Sequence, residues 1–84
     1  MAKAESPVEI AKRHVADAEN RVARQERLVA TLERDKHPVM AQHGQKILEV
    51  LKRSLELARV HLQLEIEHYG DEGIAPSRRL RNQR

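Results

Sequence analysis

The sequence predicts an all-α fold, an antiparallel helical hairpin, and three observations carry that prediction. Its 84 residues include no Cys, Phe or Trp and a single aromatic residue, Tyr69, so a core must be built from nine Leu, seven Val, four Ile and ten Ala. Apolar residues recur at steps of three and four over two long stretches, the period of a helix face. A single strong break, His37-Pro38, separates those stretches. A chain of this length has room for one small domain, and without cysteine it has neither disulfide staples nor thiolate metal ligands.

The first helix is expected over about residues 7–36. Ser6-Pro7-Val8-Glu9 reads as its start: Ser as N-cap, Pro at the first helical position where its missing N–H costs nothing, and Glu three residues after the cap to close a capping box. His37-Pro38 ends the run, because the residue before proline is pushed out of the α region, and Pro38 then opens a second helix over 38–69. Gly70 is the expected C-terminal cap, with Asp71-Glu72-Gly73 as a turn beyond it. Residues 1–73 thus form the hairpin and residues 74–84 a separate tail.

Valine stands at strict seven-residue spacing in the first helix, at Val8, Val15, Val22 and Val29, with Ala11, Ala18, Gln25 and Leu32 three residues after each. This is an a/d heptad seam. The second helix carries a matching seam of Ala41, Gly44, Leu48, Leu51, Leu55, Ala58, Leu62 and Glu65. A very short connection makes neighbouring helices antiparallel, so opposed residues have numbers summing to about 73. Val15 then faces Ala58, Ala18 faces Leu55, Val22 faces Leu51, Gln25 faces Leu48 and Val29 faces Gly44. Large residues face small ones in most layers, which close packing requires. Gly44 costs about 1 kcal/mol of helix propensity relative to Ala, and the register supplies its reason: room for Val29.

The two flanks of the seam differ. On one, Lys12, Glu19, Glu26 and Glu33 of the first helix oppose Gln45, Lys52, Arg59 and Ile66 of the second, so acids meet bases in the middle layers. On the other lie His14, Arg21, Leu28 and Asp35 against Ile47, Ser54, His61 and His68, and beyond them Val50, Leu57 and Leu64 repeat at seven-residue spacing. The apolar face of the second helix is too wide for one partner helix. Burying such side chains is worth about 1.5–3 kcal/mol each, so Leu28, Ile47, Val50, Leu57 and Leu64 are expected to form a dimer interface, two hairpins making a four-helix bundle. A heterologous protein occupying the same stripe is the alternative.

Other motifs point to weaker alternatives. His14, His61 and His68 share a flank, Glu65 lies among them, and Glu65-Ile66-Glu67-His68 is a Glu-x-x-His element, so a metal-binding bundle is a second reading. The pattern arises easily in a Glu-rich helix, however, and no firm inward Glu from the first helix faces that end. Metal and cofactor are therefore not expected. The same histidines, if covered by a second chain, would make the interface sensitive to pH near 6.

The formal charge of +3 is a property of the tail, where Arg78, Arg79, Arg81 and Arg84 stand without an acid among them. The stretch 74–84 has too little apolar content to order itself. It is expected to be disordered, and its arginines support a third reading, a nucleic-acid accessory. No aromatic interleaves them and no helix-turn-helix pattern accompanies them, so nucleic acid is not the expected partner.

No catalytic constellation is present. Ser6, Ser54 and Ser77 lack a nucleophile's surroundings in the sequence, and Gly44, Gly70 and Gly73 form no phosphate-cradling loop. The first residues lack the apolar run of a secretion signal, and no stretch approaches the ~20 apolar residues of a membrane span. A non-enzymatic, cytoplasmic protein without membrane contact is expected.

The segment Arg13–Glu26, RHVADAENRVARQE, together with Ser54–Leu62, SLELARVHL, resembles small uncharacterised helical proteins of alphaproteobacteria. The resemblance covers about 50 residues. It implies a bacterial cytosolic helical protein, and brings no established activity, cofactor or binding site to carry over.

Overall fold

A computed structural model describes residues 5–70 of the chain as two antiparallel helices, α1 (Pro7–Arg34) and α2 (Pro38–Tyr69), packed along their length. No strand occurs among the described residues. The expected turn at 71–73 and the arginine-rich tail lie outside them.

The start of α1 is built as its sequence implies. The Ser6 hydroxyl accepts from the Glu9 backbone N–H at 3.1 Å, and the Glu9 carboxylate accepts from the Ser6 N–H at 2.9 Å. Both arms of the capping box are therefore closed, which satisfies donors the helix itself cannot. Glu5 adds an ion pair to Arg13. At the far end, Gly70 caps α2 with φ 88°, its N–H donating to the Ile66 carbonyl at 2.6 Å.

The connection departs from expectation: α1 ends at Arg34, two residues early. Asp35 is the C-cap and Lys36 has φ 63°, in the left-handed region. The Lys36 N–H donates to the Glu33 carbonyl at 3.2 Å and the His37 N–H to the Leu32 carbonyl at 2.9 Å. That pair of bonds is a Schellman motif, which uses up orphan carbonyls while turning the chain sharply. His37 then serves as the N-cap of α2 without a side-chain hydrogen bond, and Pro38 takes the first helical position.

The core is the predicted seam. Val8, Ala11, Ala18, Val22 and Val29 of α1 are buried against Ala41, Gly44, Leu48 and Leu55 of α2. The remaining seam positions, Val15, Gln25, Leu32, Leu51, Ala58, Leu62 and Glu65, are half-buried. The register is set at Gly44, where an added Cβ would stand 3.0 Å from Val29 Cγ2. On the charged flank, Glu26 meets Lys52 at 3.9 Å and Glu19 meets Arg59 at 3.5 Å. Each pair is half-exposed and contributes under about 1 kcal/mol, but both fit only one alignment of the helices.

Gln25 does more than the sequence indicates. Its Nε2 donates to the Gly44 carbonyl across the interface at 2.9 Å. A helix carbonyl keeps a second lone pair after its own ladder bond, and glycine leaves the backbone open to reach it. The missing side chain at Gly44 thus admits both the Val29 methyl and the Gln25 amide.

Candidate interaction surface

The surface opposite the charged flank is apolar. Among the described residues five large hydrophobic side chains are buried, Val8, Val22, Val29, Leu48 and Leu55, whereas eight are exposed: Leu28, Val39, Met40, Ile47, Val50, Leu57, Val60 and Leu64. Their exposures run from 48% at Leu28 to 69% at Leu57. Seven of the eight belong to α2. All five residues expected to form the interface, Leu28, Ile47, Val50, Leu57 and Leu64, are in this set.

The exposed residues of α2 are ordered. Met40, Ile47, Ser54 and His61 recur at seven-residue spacing, and His43, Val50, Leu57 and Leu64 follow each of them three residues later. This is a second heptad seam, one position N-terminal to the seam that holds α1, and so rotated from it by roughly 100° around the helix. Ser54, His43 and His61 interrupt it with polar groups. Near the connection the stripe broadens into an open groove of about 340 Å³, where Leu28 and Leu32 of α1 face Val39, Met40, His43 and Ile47 of α2. Exposed apolar residues aligned along one helix face make this the candidate interaction surface.

Charge is distributed unevenly around the hairpin. Asp17, Arg21, Arg24 and Arg27 of α1 line a polar trough, while Lys46 and Arg53 border the stripe on α2. On the opposite side, Glu19 and Glu26 are engaged by Arg59 and Lys52.

The histidine cluster does not assemble as a metal site. His61 Nε2 lies 2.9 Å from Glu65 Oε2, one helical turn on, and the His68 ring stands edge-to-face with Tyr69 at 4.3 Å between centroids. Among the described residues no three His, Cys, Asp or Glu side chains are placed to hold an ion. His61 and His68 are two turns apart, about 10 Å along the axis.

No described helix is long and apolar enough to cross a membrane. Comparison with known proteins gives no matching family model, no matching curated protein and no matching solved structure.

Proposed function

We propose that this chain is a cytoplasmic, non-enzymatic protein–protein interaction module that self-associates through the apolar stripe of α2, two hairpins packing into a four-helix bundle. The observation that carries this reading is the set of eight exposed large apolar side chains among the described residues, seven of them on α2 and most of those on one heptad-spaced face. Among the described residues no third element lies over that face. Each side chain withdrawn from water contributes about 1.5–3 kcal/mol when fully buried, so a stripe of this length supplies a large drive for association. A second copy brings an identical stripe and closes the assembly through a two-fold axis.

Substituting Leu57 by Glu tests the reading, because Leu57 is among the most exposed apolar residues and lies outside the hairpin seam. Sedimentation or light scattering of the parent chain is expected to give a dimer, and Leu57→Glu a monomer with unchanged helical circular dichroism. A parent chain that stays monomeric at 100 µM (on the order of millimolar weakness or no association) would overturn self-association and leave the stripe to a different protein.

A further inference from the structure

We propose that the outer face of α1 is a second interaction surface, one that holds the phosphate backbone of a nucleic-acid duplex through Arg21, Arg24 and Arg27 without reading its bases. It does not depend on what covers α2.

The formal charge concentrates in the tail, yet within α1 the charges are sorted by helix face. Glu19 and Glu26 are engaged across the hairpin by Arg59 and Lys52. Neither has a base three or four residues away on α1, the spacings at which side chains of one helix meet. Arg24 and Arg27 likewise have no acid at those spacings; Arg24 has Arg21 and Arg27 there instead. Like charges so placed destabilise a helix slightly. No ion pair among the described residues relieves any of the three. Pairing across the hairpin thus consumes the acids of α1 and leaves a row of arginines uncompensated.

Arg24 and Arg27 each stand two residues from a buried valine, Val22 and Val29, and so lie roughly 160° round the helix from the seam. All three arginines are exposed. With Asp17 and Asn20 they border an open trough of about 520 Å³, in which the short, half-buried Ala23 is the one apolar lining residue. The row spans roughly 9 Å along the helix axis, a length over which one strand of a duplex presents about two or three phosphates at ~3.4 Å of axis each. Guanidinium forks match phosphate oxygens two at a time, and Asn20 adds an amide donor.

The trough's composition selects this class of partner. A protein partner needs apolar or aromatic anchors at the centre of its contact, and the trough offers only Ala23. Phe and Trp are absent and Tyr69 is on the other helix, so no aromatic stands beside the arginines to stack on unpaired bases. A duplex backbone, held by charge, is what remains. Asp17 is the single acid in the lining, and it opposes binding.

The test combines Arg21→Gln, Arg24→Gln and Arg27→Gln in the full chain and follows binding to a short mixed-sequence DNA duplex by fluorescence anisotropy over a salt series. The parent and a variant with Arg78, Arg79, Arg81 and Arg84 changed to Gln are measured alongside. Glutamine keeps the helix propensity of arginine, and circular dichroism of each variant should match the parent. Each phosphate neutralised contributes about 0.9 to the slope of log affinity against log salt, so the α1 variant is expected to flatten the parent's slope by about 2.7. Between about 50 and 200 mM salt its affinity should then fall by a factor ~40 times smaller than the parent's. The tail variant should keep that component. Asp17→Asn should tighten binding several-fold, whereas Glu67→Gln, the same change of charge at the far end of α2, should not. An unchanged slope in the α1 variant would place binding in the tail and overturn the proposal, as would a parent chain that does not bind the duplex at about 50 mM salt. Poly-glutamate that displaces the duplex as well as unlabelled duplex of the same total charge would make an acidic protein the fitting partner, and overturns it too. Should the triple variant lose helix, Arg24→Gln alone, with a slope flatter by about 0.9, carries the same test.

Discussion

The contact between Val29 and Gly44 makes the hairpin register measurable as a coupling energy. In the parent chain, Gly44→Ala gains about 1 kcal/mol of helix propensity. Its new methyl would stand 3.0 Å from Val29 Cγ2 and 3.4 Å from Gln25 Nε2, and overpacking of this kind costs about 1–3 kcal/mol. The expected outcome lies between neutral and a destabilisation of about 2 kcal/mol. Val29→Ala alone removes two buried carbons at about 0.8 kcal/mol each, so it destabilises by about 1.6 kcal/mol before any cavity cost. In the Val29→Ala background the obstruction is gone, and Gly44→Ala should stabilise by about 1 kcal/mol while refilling part of the space. The two substitutions are therefore coupled by about 1–3 kcal/mol. Urea unfolding followed by far-ultraviolet circular dichroism reads this, as Tyr69 is the only aromatic fluorophore. All four proteins must be compared at one concentration, since association contributes to apparent stability. Effects that add to within about 0.5 kcal/mol would mean that the two residues are not opposed, and the register argued from them would fall with that result.

One further outcome is expected. Lys36→Gly should stabilise the fold by about 1 kcal/mol in thermal unfolding, because Lys36 holds φ 63° at the Schellman position where glycine carries no Cβ penalty; an unchanged or lowered midpoint would mean that the turn is held differently.

The features legible in the sequence are those set by periodicity. Heptad spacing marked every seam position, the opposition of Val29 to Gly44 aligned the helices, and the acid–base matches Glu19–Arg59 and Glu26–Lys52 followed from that alignment. The exposed stripe was legible for the same reason, as apolar residues left over once the first seam was filled. Features set by individual backbone geometry were not legible. Lys36 adopts a conformation usually taken by glycine or asparagine, and nothing in its side chain announces it, so α1 was expected to run two residues too far. Gln25 was placed in the seam correctly, but its hydrogen bond to the Gly44 carbonyl depends on a backbone left bare by a glycine on the other helix. Shared flank position suggested a histidine cluster, and distance along the helix dispersed it.

The two seams of α2 are unequal, and the inequality bears on how association and folding are linked. The inner seam offers Ala41, Gly44, Leu48 and Leu55, a series of small and large residues that lets α1 approach closely and buries them all. The outer one mixes Ile47, Val50, Leu57 and Leu64 with Ser54, His43 and His61, so its layers are less apolar and its polar groups must find partners or water. Hairpin formation is also intramolecular, whereas association loses translational and rotational freedom. The inner seam should therefore close first and at any dilution the hairpin can survive. Among the described residues five large side chains are buried, and Val15 and Leu51 pack partly buried against them. The exposed apolar side chains of α2 would add stability only where a partner covers them, so under the proposed self-association the apparent stability of the hairpin should rise with protein concentration.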